Sequence, residues 1–159
     1  MGVQNLTSQV AIELLRRKSS IVAASTRASH FRDEGKAERE YNSATIGQQG
    51  KFARETLSKY GGVDYSDPRI EAAETEYDPK ATIAVATIVL MIDGDSTSKH
   101  LSSNINSVRD AEAALSCIAA DAKMENCLRG AEILWTPEER DETLTMKEVL
   151  ADYPTLRMV

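Results

Sequence analysis

With 159 residues, the chain is long enough for one ordinary domain and too short for two full enzyme domains. A hydrophobic content of 42% excludes a wholly disordered chain, and an aromatic content of 5% makes the core rest on Ile, Leu, Val and Ala. The 25 acidic against 19 basic residues leave a net charge of -6, which weighs against nucleic acid as a partner.

That average hides a division. Residues 1–60 hold 10 basic and 6 acidic side chains, whereas residues 61–159 hold 9 and 19. A basic N-terminal surface able to meet an anionic partner or membrane headgroups is open to such a chain, as is an ordinary solvated face of mixed charge. Cys117 and Cys127 are too few for a disulfide-built fold and lack the CxxC spacing of zinc or thiol-exchange sites, so a reducing compartment is expected, and the hydropathy pattern that follows leads to the expectation of a soluble intracellular chain. MGVQNLTSQV has neither a basic n-region nor a long apolar h-region, and the apolar stretch Ile83–Ile92 is about half the length of a membrane-spanning helix.

In chain order, the first predicted element is a helix over 7–18, from the spacing of Val10, Ile12, Leu14 and Leu15. Arg16, Arg17 and Lys18 fall at its end, where the helix dipole favours cations; phosphate or headgroup binding is the alternative role for the triplet. A second helix is expected over 37–60, interrupted in propensity by Gly47 and Gly50 and stopped by Gly61-Gly62. Tyr65 to Pro68 reads as a turn or linker. The run Thr82–Ile92, nearly all apolar and rich in branched residues, predicts a central strand covered on both faces. Asp93-Gly94-Asp95 breaks it, and Ser107 then caps a helix over 108–120. A second strand is expected over 131–135. Thr136-Pro137 is read as the start of a helical turn, and Thr145 with Glu148 as a capping box before a last helix that Tyr153-Pro154 ends.

These elements amount to an α+β fold, a helical N-terminal region followed by a β-α-β-α unit with a small sheet. If its strands were parallel, the crossover would be right-handed. Residues 1–62 form the basic helical region, 63–80 a linker or turn-rich segment and 81–159 an acidic α/β portion, packed as one domain with the first.

Chemistry-bearing residues are few. Asp93 and Asp95 follow an apolar strand, where hard cations are often held, but the oxygen positions of a calcium loop are not completed by Ser96-Thr97-Ser98, and a solvated Asp-Gly turn explains them. His30 and His100 are isolated; a small metal-assisted hydrolase built on Asp93, Asp95 and His100 is the enzymatic alternative. Cys117 fits the apolar side of its helix beside Ala114 and Ile118. Glu138, Glu139, Asp141 and Glu142 suit a helix start better than an acid–base pair, and no phosphate loop is present. No cofactor is implied.

The segment AEILWTPEERDETLTMKEVLADYPTLRMV, above all Leu134-Trp135-Thr136-Pro137 and Leu150-Ala151-Asp152-Tyr153-Pro154, resembles the DUF1517 family, as do the upstream LSSNINSVRDAEAALSCI, ATIAVATIVLMID, KFARETLSKYGG and AIELLRR. The resemblance implies a C-terminal portion of a longer architecture, without the glycine-rich, hydrophobic N-terminal region that longer members carry and hence without its own membrane anchor. It also implies a link to chloroplast or thylakoid membranes and to acclimation of photosynthesis to light, and it supplies no catalytic residue set. A non-enzymatic interaction or regulatory domain with a protein partner is therefore the leading expectation, with weak peripheral membrane contact a further possibility. Arg16, Arg17, Lys18, Trp135, Pro137, Asp152, Tyr153 and Pro154 are the candidate contact residues, Trp135 or Tyr153 supplying an aromatic centre.

Overall fold

The computed structural model describes residues 2–61, 83–94, 101, 104–137 and 144–159, residues 52–61 by their backbone alone. In chain order these residues form α1 (Val3–Arg16), a 3-10 turn (Lys18–Ser20), β1 (Ala23–Ala24), α2 (Glu34–Gly61), β2 (Val85–Ile92), α3 (Val108–Asp121), β3 (Leu128–Thr136), α4 (Met146–Asp152) and β4 (Arg157–Met158). The fold is α+β, with helical N-terminal material followed by the expected β-α-β-α succession β2-α3-β3-α4. β1 pairs antiparallel with β4 through Ala23–Met158 and Ala24–Arg157, and β2 pairs with β3.

Beyond the end of β2, the Asp93 N–H donates to the Cys127 carbonyl, at the start of β3, at 2.8 Å. The end of one strand therefore meets the start of the other, which makes the pair antiparallel and removes the case for a right-handed parallel crossover. β2 also differs from the fully covered central strand expected of its composition. Val85 is buried, Ala86 exposed and the rest half-buried, and among the described residues β3 is its neighbour. A continuous apolar run announces an apolar strand without specifying how many layers cover it.

Helix boundaries follow local chemistry. α3 begins at Ser107, whose hydroxyl accepts from the Asp110 N–H at 3.2 Å. α4 begins with the reciprocal Thr145–Glu148 capping box. α2 starts three residues before the expected 37, because Asp33 caps it by accepting the Lys36 N–H at 2.7 Å. The helix continues through Gly47 and Gly50, where a Cβ would meet nothing within 4 Å. Thr136, expected to cap a helical turn, is the last residue of β3, and Pro137 follows it. Residues 138–143, which would have formed that turn and which hold the Glu138–Glu142 cluster, lie outside the described residues, as do Tyr65–Pro68.

The chain resolves into two compact units, Met1–Asn42 with Val89–Glu132 and Leu156–Val159, and Ser43–Ile88 with Ile133–Thr155. In the first, α1 packs on α3. α3 presents Ala111, Ala114, Ile118 and Asp121, at helical spacing, as its buried face. α1 answers with Thr7, Ser8 and Ala11, each fully buried, while Leu6 stays exposed. Small residues on both helices let the backbones approach closely, and of the larger apolar side chains of α1 Val3 and Leu6 are exposed while Val10, Leu14 and Leu15 are half-buried. Ser8 bonds to Ala119 and Lys18 to Glu112, so the helices run antiparallel. In the second unit Val85, Leu144, Met146, Val149, Leu150 and Tyr153 form the core, and the Ile83 N–H donates to the Leu144 carbonyl at 2.9 Å.

Candidate interaction surface

The basic triplet lies in the first unit, at the C-terminal end of α1, and each of its cations has a carboxylate. Glu13 takes two of them, Arg17 Nη1 at 2.6 Å and Arg16 Nη1 at 2.7 Å, the i,i+4 and i,i+3 spacings that put side chains on one helix face. Arg17 foremost, with Arg16, holds the Glu13 carboxyl below its ordinary range. Lys18 Nζ lies 2.8 Å from Glu112 Oε1 and links the 3-10 turn to α3. Three cations thus face two carboxylates, which leaves far less field for an anionic surface than three free cations would.

Trp135, Pro137, Asp152, Tyr153 and Pro154 belong to the second unit. Trp135 projects from β3 with 58% of its surface exposed, and among the described residues of this unit it and Ile46, on α2, are the large apolar side chains left to solvent. Tyr153 departs from its expected role as an exposed aromatic contact. It is only 6% exposed, and Lys51 Nζ, from α2, lies 4.3 Å from its ring centroid. It is a packing element, and of the two aromatics Trp135 is the one exposed. Pro154 is exposed and Asp152 and Pro137 are half-buried. Lys51 carries no local sequence signal of this contact, since nothing nearby in the chain connects it to a tyrosine about a hundred residues on.

The polar groups proposed for catalysis are differently engaged. Asp93 is exposed and bound through Oδ2 to Arg129 Nε at 2.6 Å; its carboxylate raises the Arg129 pKa. Asp95 and His100 lie outside the described residues. Among the described residues no group of three or more His, Cys, Asp and Glu is placed to hold a metal ion, and no helix is long and apolar enough to cross a membrane. Neither cysteine is in a disulfide. Cys117 donates from α3 to Asp121 Oδ2 at 3.5 Å, and buried Cys127 donates to the Asp93 carbonyl at 3.5 Å. Burial, then the charges of Asp121 and Asp93, push the Cys127 thiol pKa up, which suppresses the reactive thiolate.

The family described as "Protein of unknown function (DUF1517)" is matched over residues 1–159. The chain belongs to the DUF1517 family. The match takes in the whole chain, α1 through β4, rather than a C-terminal portion of it. Over 98% of its length the chain is 26% identical to a protein of Arabidopsis thaliana named FLUCTUATING-LIGHT-ACCLIMATION protein 1, chloroplastic, and over 99% it is 28% identical to Protein FLAP1 homolog A of Synechocystis. It spans 38% and 47% of those two proteins, less than half of each curated relative. No solved structure matches the chain.

Proposed function

We propose that this DUF1517 chain is a non-enzymatic interaction domain with a regulatory role connected with the acclimation of photosynthesis to light, acting by docking a protein partner at Trp135. The regulatory setting is supported by the similarity, over nearly the whole chain, to a chloroplast protein named for acclimation to fluctuating light. The same similarity supports association with the chloroplast or its thylakoids. The docking role is carried by one observation, an indole 58% exposed on a strand of a chain poor in aromatics.

Aromatic side chains bury 150–250 Å² in all, so removing the exposed part of Trp135 from water is worth about 2–4 kcal/mol, the range of an interface hot spot. The test compares the intact protein with Trp135→Ala, immobilised in extract of the source organism and then titrated with whatever partner is recovered. A partner bound by the intact protein should lose about 30-fold or more in affinity to the variant, while thermal stability changes little. Equal binding by both proteins removes Trp135 from the interface. No reproducible partner at several salt concentrations removes the interaction reading altogether.

A further inference from the structure

Where α1 ends, five consecutive exposed residues read Arg16-Arg17-Lys18-Ser19-Ser20, three cations followed by two hydroxyls. The geometry points to Ser19–Ser20 as an acceptor site for phosphorylation by a serine/threonine kinase of the basic-directed class, with Arg16 and Arg17 as the groups it recognises. This goes beyond the docking role of Trp135, which lies in the other unit.

Charge, access and release all favour the site. Arg16 and Arg17 stand three and two residues before Ser19, and Arg17 and Lys18 the same before Ser20, so a cleft lined with carboxylates can take two cations while holding a serine at its reacting centre. The two arginine side chains are 70% and 68% exposed. Among the described residues no hydrogen bond holds either serine hydroxyl. The 3-10 turn contains no buried residue. Its backbone is held by the Ser20 N–H on the Arg17 carbonyl at 2.8 Å and the Ile21 N–H on the Lys18 carbonyl at 3.2 Å. The side chains add three ion pairs on exposed groups, which water and salt screen. Kinase clefts take extended substrate, and this end of the helix can open to that form while the buried Thr7, Ser8 and Ala11 keep α1 seated on α3.

In the transfer, the serine Oγ bonds to the γ-phosphorus of magnesium ATP, the bond from that phosphorus to the β-bridging oxygen breaks, ADP leaves, and the hydroxyl proton passes to the kinase's base. The new phosphate, near two negative charges, stands at the C-terminus of α1, where the helix dipole opposes it, and competes with Glu13 and Glu112 for Arg17 and Lys18. The Lys18–Glu112 contact, which ties the turn to α3, is the one it displaces.

The test incubates the intact protein with magnesium ATP and the catalytic subunit of cAMP-dependent protein kinase, and reads the product by intact mass and site mapping. One phosphoryl group should appear on Ser19 or Ser20. Arg16→Gln with Arg17→Gln should slow incorporation about tenfold or more, because two charge-assisted contacts are lost. Ser19→Ala with Ser20→Ala should abolish it. Hydrogen exchange should quicken over residues 14–21 in the modified protein and stay unchanged at Ala111–Ile118. Incorporation elsewhere, incorporation indifferent to the arginines, or modification of a peptide of residues 13–24 without modification of the folded protein would each overturn the assignment.

Discussion

Ser8 offers a sharp test of how the first unit is held together. In the last turn of α3 the Ala122 N–H donates to Ile118 O at 3.0 Å, but the Lys123 N–H turns to Ala120 O at 3.2 Å. The Ala119 carbonyl is passed over by that switch from i→i−4 to i→i−3 bonding, as happens at helix ends. Ser8 Oγ donates to it from α1 at 2.9 Å, and Ser8 is fully buried, so water cannot take the hydroxyl's place. Ser8→Ala should therefore cost the bond and leave a desolvated carbonyl, about 1–3 kcal/mol. For a chain of this length a loss of about 2 kcal/mol lowers the melting temperature by about 4–8 °C. Thr7→Val is the matched control. Thr7 is as fully buried, yet its Oγ1 donates within its own helix to Val3 O at 2.8 Å, a back-bond that does not join α1 to α3. Its replacement by an apolar side chain of similar shape should cost less than about 1 kcal/mol. Urea unfolding followed by circular dichroism measures both. Equal losses in the two variants, or a Ser8→Ala loss below about 0.5 kcal/mol, would refute the claim that Ser8 completes the end of α3.

Other perturbations test the remaining contacts. Thr145→Ala removes the donor–acceptor exchange with Glu148, whose Oε2 accepts the Thr145 N–H at 2.7 Å, and should destabilise by about 1 kcal/mol in the same unfolding assay. A double-mutant cycle on Lys18 and Glu112 should give a coupling of at most about 1 kcal/mol that fades as salt is raised to about 1 M, since both side chains are largely exposed. Cys127 should react with a thiol reagent more slowly than Cys117 in the folded protein, and unfolding in urea should equalise the two. Because the folded state raises the Cys127 pKa, the unfolded chain loses that proton first. The contribution of Cys127 to stability is full below the ordinary thiol range and is lost as pH rises through that range to the raised value, which unfolding titrations between neutral and alkaline pH will read.

Much of the fold is legible in the sequence, and the exceptions have physical reasons. The capping signals at Ser107 and at Thr145–Glu148 were found where they stand, because a cap is a bargain among residues three apart. Asp33 carries the same kind of signal, four residues before the expected helix start at Ala37. Gly47 and Gly50 do not interrupt α2: propensity is a weak prior that a continuing helix can override. Of the contact residues, the pairing of Arg16 and Arg17 with Glu13 could be read from spacing alone. The burial of Tyr153 under Lys51 could not, and neither could the exposure of Trp135, since both depend on which side of α4 and β3 meets the core.

The sequence by itself determined the α+β class, the succession β2-α3-β3-α4, the caps at Ser107 and Thr145 and the charge division of the chain, all of which follow from interactions spanning a few residues or from composition. Tertiary structure decided which face of α1 is its inner one. Leu6 and Val10 carry the apolar area, but Thr7, Ser8 and Ala11 let α1 come close enough to α3 for Ser8 to reach a carbonyl 111 residues away. It also decided that the basic triplet is partly neutralised, because Glu112 reaches Lys18 across 94 residues of chain. Contacts at such separations depend on how two surfaces fit, which no window along the chain contains.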